Sequence, residues 1–229
     1  MNAPVQQPVT TTWSMYRAIV GIGALCALLI VGVFKATEGR IADNRARFLA
    51  ESVAEVLPEA EWTLAVTVDA SGALVEAGED TPLPGYLGFD ADGNIVGAVI
   101  TGIGMGYADN IRVIFAYSFE LDAFTGFKIL ESKETPGLGD RVEVEPHFLG
   151  SFDRLDASLN AAGDALANAI VTVKEGEKVS PWEIDGITGA TITSEAIGNI
   201  LNEAASSWVP ALERDADSFA GRSPTEESE

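Results

Sequence analysis

Asp185-Gly186-Ile187-Thr188-Gly189-Ala190-Thr191-Ile192-Thr193-Ser194 is the stretch from which the rest of the chain is best read. It holds two glycines, three threonines and a serine, and an apolar periodic run follows at once. Glycine tolerates positive φ and lets a ligand come close to the backbone. Hydroxyls and the unpaired N–H groups at a helix start suit a phosphate. The same residues also suit an ordinary helix start, with Thr191 or Thr193 as the cap. Downstream, Ala196, Ile200, Ala204 and Trp208 recur every fourth residue, with Ile197, Leu201 and Ala205 beside them. That spacing predicts a helix over 194–208 with one buried stripe.

Upstream of this stretch, short apolar runs alternate with Gly, Asp and Asn turns: 62–68, 73–75, 85–89, 95–101, 111–119 and 125–130. Asp90-Ala91-Asp92-Gly93-Asn94 between two of them is a hairpin signal. The pattern predicts an α+β domain: an antiparallel sheet with packed helices. Gly102-Ile103-Gly104-Met105-Gly106-Tyr107 lies among these runs. Its third glycine comes one residue early for a dinucleotide fingerprint, and no βαβ unit surrounds it. It reads as a loop, either an ordinary one or one that exposes backbone near a ligand. Glu134-Thr135-Pro136-Gly137-Leu138-Gly139 is a second unusual run, with the turn chemistry of Pro-Gly. Residues 147–170 read as partly helical, with Leu155, Leu159 and Leu166 as packing residues, and 171–173 as a strand. His147, the only histidine, reads as structural or surface-lying.

Toward the N-terminus, residues 18–34 form an unbroken run of apolar residues and glycine between Arg17 and Lys35, with Trp13 and Tyr16 upstream. With its flanks this run reaches the ~20 residues a bilayer crossing needs, and interfacial aromatics suit its end. Lys35-Ala36-Thr37-Glu38 is a poor signal-peptidase site. The expected layout is a flexible N-terminus at 1–12, a transmembrane anchor at 13–35 and a membrane-proximal amphipathic helix at 36–58. The main domain then occupies 59–212, and a disordered acidic tail 213–229.

The chain of 229 residues carries a net charge of −21, and all 35 acidic residues follow Lys35. Such a surface repels nucleic acid. One cysteine, Cys26, excludes an intrachain disulfide and Cys-based iron–sulfur or zinc sites within the chain. No metal site is expected. More basic residues follow the span (Lys35, Arg40, Arg45, Arg47) than precede it (Arg17), which by charge alone puts the C-terminal domain in the cytoplasm.

Residues 185–191, Asp-Gly-Ile-Thr-Gly-Ala-Thr, resemble the flavinylation motif of the FMN-binding domain family. That domain occurs in the G subunit of Rnf ion-translocating electron-transport complexes and the C subunit of sodium-translocating NADH:quinone reductases. Residues 134–139 resemble the family's second pattern, and the order of elements over 13–210 is similar as well. The resemblance implies FMN joined covalently through its phosphate to Thr191 by a flavin transferase. It implies that Asp185, Gly186, Thr188, Gly189 and Ala190 form the turn the transferase recognises. Thr193 and Ser194 would then lie near the phosphate. Glu134, Thr135, Gly137 and Leu138 would border the ring system, with Met105 and Tyr107 as weaker candidates. It further implies an electron-transfer subunit, a carrier within a translocase rather than a self-contained enzyme, among the other membrane subunits of an Rnf-like complex. The domain would face the extracytoplasmic side of the inner membrane, against the charge count. The alternatives are the matching subunit of a quinone reductase, or a membrane-bound flavoprotein with a sensory or regulatory role.

Overall fold

The computed structural model describes residues 12–78 and 81–222; the segment expected to be flexible, up to residue 11, lies outside them. The chain divides into two compact units at Phe48 and Leu49.

The first unit is the greater part of one helix, α1 (Thr12–Val56). Anchor and amphipathic segment, expected as two elements, are continuous. No proline interrupts them, and the junction carries local ties. Lys35 pairs with Glu38 at 2.9 Å, and the Thr37 hydroxyl donates back to Val33 O at 2.9 Å. The apolar part is long enough to cross a membrane, and its side chains, Leu28 and Ile30 among them, are exposed.

The second unit is built on seven strands: β1 (Trp62–Val68), β2 (Leu74–Glu76), β3 (Gly85–Phe89), β4 (Ile95–Met105), β5 (Asn110–Ser118), β6 (Ala123–Glu131) and β7 (Leu155–Asp156). They form one antiparallel sheet in the order β2-β1-β3-β4-β5-β6-β7. Alternation along the strands sends side chains to opposite faces. Val99 and Ile114 point to one face, where Val53 in the last turn of α1 and Leu57 just past it cover them. Ala98, Ile100, Val113 and Phe115 point to the other, beneath α3 (Thr191–Asp215). Along α3, Ile197, Ile200, Leu201, Ala205 and Trp208 are buried, as the periodicity predicts.

Four expectations need correction. The glycine run at 102–106 is not a loop up to Met105 but the end of β4. Its glycines are required by packing: a Cβ on Gly102 or Gly104 would stand 2.5 Å from Ile200 of α3. Residues 147–170 are hardly helical. Only a four-residue helix α2 (Pro146–Leu149) and a short 3₁₀ turn (Gly150–Phe152) precede β7. Aromatic packing fixes them, with Phe127 and Phe152 stacked at 4.4 Å and Phe148 edge-on to both. The C-terminal helix starts earlier and runs longer than expected, from Thr191 to Asp215, and a 3₁₀ turn continues to Phe219. The ordered domain therefore passes the boundary set at 212. Ala216 and Phe219 are buried, Leu74 N–H donates to Asp215 at 3.0 Å, and Arg222 pairs with Glu76.

A separate parallel pair, β8 (Val171–Val173) and β9 (Glu183–Asp185), lies beside α3 and leads into the turn that opens it.

Candidate functional site

The turn begins as β9 ends. Gly186 N–H continues the pairing to Val173 O at 3.0 Å, and Ile187 is buried. Ala190 N–H closes a tight turn onto Ile187 O at 3.0 Å. Gly189, at φ +91°, occupies the left-handed region that this turn requires. α3 then starts at Thr191. Its flanking residue is Ala190, with no side-chain cap. Neither Thr191 nor Thr193 caps the helix, which corrects the alternative reading of the motif. Ser194, fully buried, does the local work: its hydroxyl donates to Ala190 O at 2.9 Å and accepts from Ile187 N–H at 3.3 Å. Thr191 is exposed, and its hydroxyl reaches Ile187 O only at 3.5 Å, the limit of a hydrogen bond. The first N–H groups of a helix lack intrahelical acceptors and carry its positive end.

Charged side chains brace the turn. Arg141 donates through Nη1 to Thr188 O at 2.7 Å while its Nη2 pairs with Glu145 at 2.7 Å. Glu175 accepts from Thr188 N–H at 2.8 Å. The Thr188 hydrogen bonds, with smaller help from His147 and Arg141, hold the Glu175 carboxyl below its ordinary range. His147 Nε2 lies 3.0 Å from Gly186 O. The lone histidine thus lies part-buried against the backbone that leads into the turn.

Residues 134–139 form the opposing wall. Leu138 and Gly139 N–H groups both close onto Thr135 O, at 3.1 and 3.0 Å, with Gly137 at φ +77°. The two walls meet at Glu134, which is buried. Its Oε1 accepts from Ala108 N–H at 3.0 Å, and its Oε2 accepts from the Thr193 hydroxyl at 2.8 Å. Between the walls lies a cleft of about 370 Å³, lined by Tyr107, Glu134, Thr135, Leu138, Gly139, Gly189, Ala190, Thr191, Ile192 and Thr193. That volume lies within the roughly 300–1,000 Å³ of small-molecule sites.

Seven of the sequence-derived candidates thus share one cleft: Glu134, Thr135, Leu138, Gly189, Ala190, Thr191 and Thr193, with Tyr107 from the weaker pair. The others stand back from it. Asp185 receives Gly176 N–H at 2.7 Å, Thr188 faces Arg141 and Glu175, and Ser194 is sealed beneath the helix start. Gly137 shapes its loop, and Met105 is exposed outside the lining residues. Gly139 and Ile192, which belong to the two motifs without being among the residues expected to touch the ligand, line the cleft as well. Arg141 and Glu175 were also missed. Arg141 lies just past the 134–139 run and Glu175 in an unmarked segment, and the contacts that give them a role, to Thr188, exist only across the fold.

The FMN-binding domain family model matches residues 106–206, a span that contains both walls. The G subunit of the Na(+)-translocating ferredoxin:NAD(+) oxidoreductase complex from Acetobacterium woodii is 31% identical over 189 residues, covering 80% of this chain and 84% of that protein. The G subunit of an ion-translocating oxidoreductase complex from Methanosarcina acetivorans is 29% identical over 186 residues, 81% of this chain and 88% of the relative. Among solved structures, the C subunit of the Na(+)-translocating NADH-quinone reductase of Parabacteroides distasonis aligns with a TM-score of 0.53 at 22% identity, covering 67% of this chain and 78% of that one. NqrC of Shewanella oneidensis aligns at 0.51 and 19% identity, over 72% and 86%. These two likenesses concern the fold.

Proposed function

The chain belongs to the family of FMN-binding G subunits of ion-translocating oxidoreductase complexes, and on that premise we propose that it holds FMN in the cleft between residues 134–139 and the start of α3, joined through the phosphate to Thr191 Oγ. The chain is an electron-transfer subunit of a membrane-bound complex of the Rnf type, and works among other membrane subunits. α1 anchors it to the membrane.

The observation that carries the covalent reading is the meeting of two motifs on one cleft. Thr193 and Glu134, 59 positions apart, are joined by a 2.8 Å hydrogen bond. The residues present fit a flavin phosphate. An exposed threonine stands at the first position of a 25-residue helix, next to unpaired N–H groups that favour an anion. Gly189, with no side chain, leaves the approach open. Leu138, Ile192 and Tyr107 supply apolar and aromatic wall for a planar ring, and Thr135 a hydroxyl. When bound, FMN supplies the one- and two-electron chemistry, and the protein supplies position and electrostatics. Arg141 and Glu175 hold the two peptide groups that flank Thr188, one by its carbonyl and one by its N–H, and so fix where Thr191 is presented. A flavin transferase forms the ester from an activated donor, a flavin dinucleotide: Thr191 Oγ loses its proton and bonds to the flavin-side phosphorus, the pyrophosphate bond breaks, and the nucleoside monophosphate leaves with the electron pair.

The family resemblance favours an extracytoplasmic domain at the inner membrane, where a covalent bond keeps the carrier from diffusing away. An alkaline phosphatase fused after the domain should be active in cells; a silent fusion, with an active cytoplasmic reporter in its place, would reverse the orientation. The attachment is tested by co-expression with a flavin transferase. The chain should be yellow and stay fluorescent through a denaturing gel. A colourless band would refute covalent FMN.

A further inference from the structure

Glu134 occupies an unusual position for a carboxylate. It is 7% exposed and lies in the cleft wall. Both oxygens act as acceptors, one for an amide N–H and one for a hydroxyl. These donors are neutral, so they hold the carboxylate without cancelling its charge. Two glycines make room for it. A Cβ on Gly106 would stand 2.5 Å from Oε1, and one on Gly139 would press against Oε2 and, at 2.8 Å, against Glu134 Cβ. Three segments are therefore shaped around one buried acid: the loop after β4, which holds Gly106 and Ala108, the 134–139 turn and the first turn of α3. A glutamine is almost the same size and would meet most of the packing demand. What a glutamine lacks is the charge and the second strong acceptor.

Burying a charge is costly even when it is hydrogen-bonded, unless a counter-charge pairs with it. We propose that Glu134 is a positioning and electrostatic residue that ties the two walls of the cleft together and, as a fixed negative charge beside it, lowers the midpoint potential of the flavin. The proposal rests on the reading that FMN occupies this cleft. An electron entering the flavin adds negative charge, and a carboxylate in the low-dielectric wall of the cleft opposes it. The Thr193 hydroxyl keeps the carboxylate oriented from the helix that carries Thr191.

The test compares full-length chain, co-expressed with a flavin transferase and purified in detergent, as wild type, Glu134→Gln and Thr193→Val. Flavin loading is read by intact mass and midpoint potential by spectroelectrochemical titration. Glu134→Gln removes the charge and keeps the shape, so its potential should rise above wild type. The rise should persist in ~0.5 M salt, which screens exposed charges but reaches a buried one poorly. Thr193→Val leaves the charge in place and should not raise the potential. An unchanged potential in loaded Glu134→Gln overturns the proposal. So does an equal rise in both variants, which would mark lost contact rather than lost charge. A Glu134→Gln chain that folds but cannot load flavin would leave Glu134 a strut alone and overturn its electrostatic role. A wild type without FMN would instead defeat the underlying reading of the cleft.

Discussion

The seat of α3 on the sheet yields a double-mutant test of why the glycine run at 102–106 exists. The three nearest neighbours of a Cβ built on Gly104 all belong to Ile200: Cγ1 at 2.5 Å, Cδ1 at 3.0 Å and Cβ at 3.9 Å. Carbon atoms prefer about 3.5–4.0 Å, so Gly104→Ala overlaps by about 1 Å. Ile200 is β-branched and stiff at χ1 in a helix, and it cannot simply swing away. Overpacking of this kind costs about 1–3 kcal/mol. Ile200→Ala alone leaves a cavity beneath α3 and costs about 2–5 kcal/mol. In that background the colliding atoms are gone, and only the Cβ contact at ordinary distance is left. Gly104 has no positive φ, so alanine fits its backbone and should add about 0.4–1 kcal/mol of stability there. The two changes should therefore couple by about 2 kcal/mol. Urea unfolding of the full chain in detergent, followed by tryptophan fluorescence, reads this directly, since Trp208 lies on the same stripe. Costs that add to within about 0.5 kcal/mol, as for independent sites, would refute the claim that these glycines seat the helix.

Further predictions concern the turn and the ionisable groups. Gly189→Ala forces an L side chain to φ +91°, with Arg141 Nη1 3.8 Å away and no clash. It should cost about 1–2 kcal/mol by backbone strain and lower FMN loading by intact mass; unchanged loading and stability would contradict the geometry of the turn. Tyr117 is buried, and burial and its bond to Glu213 at 2.7 Å raise its hydroxyl pKa. That contribution is present below the ordinary value of 10.0 and lost as pH rises above it. Tyr117→Phe should cost about 1 kcal/mol at neutral pH and flatten the alkaline limb; an identical alkaline limb would count against it. Hydrogen bonds lower Asp109 (from Lys133), Glu175 (from Thr188), Glu183 (from Ser180) and Asp215 (from Arg214). Their contributions are complete above the ordinary values of 3.8 and 4.5 and are lost as pH falls through the lower folded values. Protonation also relieves self-repulsion in a chain of net charge −21, so the urea midpoint should fall only below about pH 4. A midpoint that rises steadily to about pH 3 would contradict the assignment.

What the sequence made legible follows its local signals. Strands β1 and β3 and the parallel strand β8 have the bounds their apolar runs imply. The stripe on α3 is buried where its four-residue spacing puts it. Local signals failed where tertiary packing decides. Gly102 and Gly104 look like loop residues, yet a neighbouring helix requires their smallness. Phe148 and Phe152 gather around Phe127 from β6 and override a helical reading. The C-terminal extension is held by Asp215 and Arg222 reaching Leu74 and Glu76, partners more than 140 positions away. In the cleft, the two motifs were visible separately, and their turn chemistry announced each of them. The hydrogen bond that joins them, and the Arg141 and Glu175 brace behind the turn, arise only when distant segments meet.

The central claim is that Thr191, among four neighbouring hydroxyl residues, carries the flavin. The most direct measurement is fragment-ion mass spectrometry of the tryptic peptide 179–214 from chain co-expressed with a flavin transferase. The peptide should gain one FMN less one water, with the added mass on Thr191 and absent from a Thr191→Ala chain. Added mass on Thr188, Thr193 or Ser194, or an unmodified peptide, would contradict the account.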